Sequence, residues 1–223
     1  MNHASHLELQ LKKLHDVFEL ITARGKSMYQ AYDGALYGVD FLAGAALNRT
    51  LANSKAFINL IESRNLVIAG ALLRIQLDTA MRFYAVFLVD KPHDFAIKIL
   101  EGERLDLQKD RDGNKLSDRY LSEKLDKEFP WVKRVYQSTS GYIHLSGTHI
   151  HHTMSLADGD LTVGVKLSPK DRDLPDELYI EAIEAFIESI NVLLKYIDGW
   201  IFTKENPDIA AQERKRIEER GNA

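Results

Sequence analysis

The stretch DELYIEAIEAFIESINVLLKYIDGWI, residues 176–201, decides the fold. Ile180, Ile183, Ile187, Ile190, Leu194, Ile197 and Ile201 step by three and four, which puts them on one face of a long helix. Tyr179, Phe186, Leu193 and Trp200 form a second stripe beside it at intervals of seven. A face this wide must be covered on more than one side. It suits the central helix of an all-α bundle, with a dimer interface as the other way of covering it.

Toward the N-terminus, Leu7, Leu11, Leu14, Phe18 and Ile21 describe an amphipathic helix over about 4–24, which Gly25-Lys26-Ser27 is expected to break. A second helical stretch runs to about Leu47, and its Gly34, Gly38 and Gly44 permit close packing. Residues 50–63 read as another helix, and Asn65 is a plausible N-cap for the apolar helix after it. Pro92 opens a helix carried by Phe95, Ile97, Leu100, Leu105 and Leu107 toward the turn Asp112-Gly113-Asn114. Ser117 to Glu128 and Trp131 to about Ser146 make two more. Ala157-Asp158-Gly159-Asp160 is the one hairpin signal, so a small β-hairpin insert is expected near residues 153–167. The expected architecture is a single helical-bundle domain of about six or seven helices over 1–205, with a charged tail over 206–223.

Composition narrows the function classes. Cysteine is absent, which excludes disulfides, thiol catalysis and cysteine-bound zinc. The net charge of -4 means that a nucleic acid would have to be held by a local basic patch. Leu66 to Val89 is the most apolar stretch, but Arg74, Asp78 and Arg82 interrupt it and oppose bilayer insertion. Residues 1–20 lack a secretion-signal pattern, so a cytoplasmic protein with no membrane partner is expected.

Two clusters carry candidate chemistry. Arg74, Asp78 and Arg82 are four apart on one face of an apolar helix, where they form either a structural network or an anion site with one guanidinium fork free. His144, His149, His151 and His152 lie within nine residues. His144 and His151 are about 10 Å apart along a continuous helix, too far to share an ion. If Gly147 ends the helix, His149, His151 and His152 are free to converge with Asp158 or Asp160, giving a metal-dependent hydrolase as a further alternative. No established ligand spacing is matched, so neither a metal nor a cofactor is expected. His144, with Ser140, Tyr142 and Ser146 around it, is the better candidate for a general base.

Leu72-Leu73-Arg74-Ile75-Gln76-Leu77-Asp78 and Ser140-Gly-Tyr-Ile-His144-Leu-Ser146 together resemble a group of bacterial all-helical proteins that are distantly similar to the HEPN superfamily of defence and toxin domains. The resemblance covers about residues 50–200. It implies a helical bundle, a homodimer, and metal-independent RNase activity in some members. HEPN ribonucleases carry Arg four to six residues before the catalytic His, whereas the nearest preceding Arg here is Arg134. On this resemblance the ligand is RNA or a nucleotide, His144 is the base, and Arg74 or Arg82 contacts phosphate beside Asp78. Tyr142, Ser146 and Ser140 complete the expected pocket. The rival expectation is a non-catalytic dimeric interaction module.

Overall fold

The computed structural model describes residues 6–156, 163–171, 174–209 and 211–212. Its α-helices are α1 (His6–Gln30), α2 (Gly38–Glu62), α3 (Leu66–Tyr84), α4 (Pro92–Leu100), α5 (Asp118–Leu125), α6 (Val132–Ile143), α7 (Gly147–Thr153) and α8 (Asp176–Glu205). The class is all-α. No helix is long and apolar enough to cross a membrane among the described residues.

Helices α3 and α8 form the centre, with α1 against α8, α2 against α3 and α1, and α6 against α3. Most of both stripes of α8 is covered within the chain: Ile183, Phe186, Ile190, Leu193 and Ile197 are fully buried, Ile187 and Ile201 are half-buried, and Phe186 stacks on Phe57 of α2 with ring centroids 4.0 Å apart. Each such side chain contributes about 1.5–3 kcal/mol when removed from water. The width of the face thus reflects burial among neighbouring helices of the same chain.

Several boundaries differ from the sequence reading. α1 continues through Gly25 to Gln30, because the extra turn buries Met28 completely. One glycine inside a helix costs only about 1 kcal/mol, less than that burial contributes. The break falls instead at Tyr32, Asp33 and Gly34, all with positive φ. The stretches expected to be separate helices before and after Leu47 are one helix, α2, in which the buried Thr50 and Ser54 hydroxyls donate to the carbonyls of Ala46 and Thr50. The glycines of this region do allow close approach: a Cβ on Gly44 would lie 2.0 Å from the Tyr29 hydroxyl. α4 stops at Leu100 rather than reaching Asp112, since Gly102 adopts φ +94 and ends it. α6 stops at Ile143, so His144 is extended (φ -113, ψ 144) and not helical as expected.

Two short strands, β1 (Met154–Leu156) and β2 (Val163–Val165), pair antiparallel with Met154 opposite Val165. The turn expected at Ala157-Asp158-Gly159-Asp160 lies outside the described residues, as do residue 210 and residues 213–223 of the expected tail.

The bundle carries one fully buried ion pair among the described residues. Lys204 Nζ donates to Asp40 Oδ1 at 3.1 Å and to the Met28 carbonyl at 2.9 Å, while Trp200 Nε1 donates to the same carboxylate oxygen at 2.8 Å. This knot joins the start of α2 and the ends of α1 and α8. Breaking it from one side leaves a charge buried alone. Lys204→Met is expected to lower unfolding free energy by about 3–5 kcal/mol in urea titrations. The exposed control Lys195→Met is expected to cost only about 0–1 kcal/mol.

Candidate functional site

The α3 stripe divides by depth. Arg74 is buried, Asp78 half-buried and Arg82 exposed. Arg74 Nε donates to Asp78 Oδ1 at 2.9 Å and Nη1 to the Tyr136 carbonyl at 3.1 Å, with the guanidinium 3.6 Å above the centroid of the Tyr136 ring. Arg74 therefore fastens α6 to α3. Burial pushes the Asp78 carboxyl above its ordinary value, and the hydrogen bond and charge of Arg74 only partly offset that. Arg82 turns away from Asp78 to fork onto Asp118 at the start of α5, through Nε–Oδ1 at 3.2 Å and Nη2–Oδ2 at 3.1 Å. The three charges do not share one site.

Arg82 instead opens on a polar cavity of about 510 Å³. Arg104, Asp106, Asp118, Arg119 and Tyr136 also line it. Arg104 forks onto Asp106 at 3.0 and 2.6 Å, and that hydrogen bond holds the Asp106 carboxyl below its usual range. Arg119 pairs with Glu123 at 3.2 Å. These arginines are exposed, so each ion pair is weak and open to exchange. The sequence reading missed Arg104, Arg119 and Asp118. Arg82 was the one candidate of the sequence that lines this cavity, and Ser117, whose side chain caps α5, stands beside it.

The histidine run folds differently from expectation. Ser146 starts α7 as its cap: its hydroxyl accepts from Thr148 N–H and donates to the Gly141 carbonyl, and its own N–H donates to His149 Nδ1. Gly147 thus begins a helix rather than ending one. His144 and Ser140 are exposed, and His144 makes no hydrogen bond or ion pair to Arg74 or Asp78. His149 serves the cap, His151 is exposed, and His152 Nδ1 lies 3.6 Å from Asp171 Oδ1. Among the described residues no three His, Asp or Glu side chains stand close enough to hold a metal. Asp158 and Asp160 lie outside those residues.

Tyr142 packs face-on against Gly70, where a Cβ would come within 2.7 Å of the ring, and burial raises its phenol pKa. It lines a second cavity, about 640 Å³, between α6 and α8. His152 lines the same cavity, its ring edge-on to that of Tyr142. Behind it the Asp171 carboxylate accepts from Leu66 N–H at 2.5 Å and from the Tyr179 hydroxyl at 2.8 Å, tying the α7 region to the start of α3. No short-range spacing in the sequence pointed to Asp171.

Comparison with protein-family models, curated proteins and solved structures finds no significant match to this chain.

Two outcomes follow from the Arg74 geometry. Arg74→Met is expected to cost about 1.5–3 kcal/mol, since it strands the half-buried Asp78 carboxylate and removes the tie to the Tyr136 carbonyl, whereas Arg82→Met costs about 0–1 kcal/mol. Folded Asp78 holds its proton more tightly than unfolded Asp78, so its ionisation opposes folding. Stability carried by this group falls as pH rises past 3.8. Asp78→Asn is expected to remove that part of the slope in denaturation midpoints measured across the acid range.

Proposed function

We propose that the protein binds a phosphate-bearing ligand, RNA or a nucleotide, at the arginine cavity beside Tyr136. The observation that carries this reading is the gathering of Arg82, Arg104 and Arg119 from three different segments around one polar cavity. Guanidinium forks match phosphate oxygens bidentately, and the half-buried Asp106 and Asp118 carboxylates now hold two of these forks, whose arginines are exposed. The lining has three guanidiniums and two carboxylates, Asp106 and Asp118, with Glu123 paired to Arg119 beside it, so a ligand phosphate would exchange with these carboxylates. This is the local patch that an acidic chain needs to hold a polyanion.

The HEPN resemblance extends the proposal to RNA cleavage, with His144 taking the 2′-hydroxyl proton and an arginine stabilising the charged phosphorus centre. The observed geometry supports binding more than cleavage. His144 is exposed and does not line the arginine cavity, and the buried Arg74 is occupied by Asp78 and Tyr136.

Fluorescence anisotropy with a labelled single-stranded RNA oligonucleotide tests the reading. Affinity is expected to fall as salt rises, and Arg104→Ala with Arg119→Ala is expected to flatten the log–log salt slope by about 0.7 for each phosphate that is no longer neutralised. Binding that is unchanged in this double variant would falsify the proposal. Substrate remaining intact on prolonged incubation, with binding preserved, would remove the RNase extension alone.

A further inference from the structure

We propose that the groove between α6 and α8 receives a basic amphipathic helix of a partner protein. The groove exists because α6 and α8 each pack on α3 and scarcely on one another, so that α3 is left as a floor between two walls. Leu66, Gly70 and Leu73 supply that floor. Gly70 is covered by the Tyr142 ring, and Tyr142 lines the groove beside it. Ala182 and Ala185 face it from α8, and their small side chains let a partner backbone come close.

Charge selects the occupant. Glu181, Glu184 and Glu188 stand along the α8 wall at helical spacing, spanning about 10.5 Å or two turns. Glu184 accepts from the Gln10 amide and Glu188 from the Asn191 amide, both neutral donors. Among the described residues no Lys or Arg pairs with any of the three. A helix seated in the groove with Lys or Arg at i, i+4 and i+7 sets one cation against each carboxylate while its apolar stripe covers Leu66, Leu73 and Val135. Arg134, on the opposite wall, favours an acidic or carbonyl group on the other flank and so fixes the direction of the helix. The same carboxylates repel nucleic acid. The groove and the arginine cavity therefore differ in the charge they accept, and the groove proposal stands independently of phosphate binding.

The probe is a labelled helical peptide of Leu and Lys carrying that spacing, with a counterpart in which every Lys is Glu. Anisotropy and the emission of Trp131, which lines the groove, report binding; Trp200 is buried in the bundle. Saturable binding of the Lys peptide is expected, with no binding of the Glu peptide. The triple variant Glu181→Gln, Glu184→Gln, Glu188→Gln changes only exposed side chains and is expected to weaken binding by about tenfold or more. Ala182→Trp fills the wall and is expected to weaken it comparably, with thermal melting checking that each variant folds. Equal binding of both peptides, undiminished binding to the triple variant, or no saturable binding of the Lys peptide overturns the proposal.

Discussion

Arg74 is the contact on which both cavities depend. Its guanidinium is committed three ways, to the Asp78 carboxylate, to the Tyr136 carbonyl and to the face of the Tyr136 ring. A charge buried in an apolar helix interface must be paired to be tolerated, and pairing it with a backbone carbonyl of α6 fixes where that helix sits. Tyr136 on one flank of α6 then borders the arginine cavity. Trp131, Val135 and Tyr142 on the other flank wall the groove against α8.

The molecule separates its charges by site. Exposed arginines from α3, α5 and the segment after α4 gather at one cavity, and glutamates of α8 line the other. The deep ion pair of Asp40 and Lys204 has a different character, since both side chains are withdrawn from solvent and hydrogen-bonded to each other, to Trp200 and to the Met28 carbonyl. It locks helices together and leaves no free group for a ligand. Exposed pairs are labile and exchange partners, whereas buried ones specify structure.

Local chemistry determined how much of this was readable. The stripes of α8 were legible because three-and-four spacing follows directly from helical geometry, and Arg74 with Asp78 was legible for the same reason. Gly25 misled because its conformational cost is outweighed by the burial of Met28, a tertiary effect that no window around the glycine contains. His144 was placed on a helix because apolar and polar residues continue in helical order through it. The capping pattern of Ser146 with His149, visible in retrospect, ends that helix and starts α7. Arg104, Arg119, Asp118 and Asp171 find partners or neighbours across the fold, from separate segments, and such convergence leaves no periodic trace.

A division of labour among the arginines underlies both the fold and the proposed site, and side-chain NMR of the guanidinium groups distinguishes the arginines that bind from the one that holds helices together. Titration with a nucleoside triphosphate is predicted to shift the Nε–Hε resonances of Arg82, Arg104 and Arg119 together, in one saturable process, while that of the buried Arg74 stays in place. Shifts confined to Arg74, or centred on the His144 ring with the three exposed arginines unmoved, would refute that division.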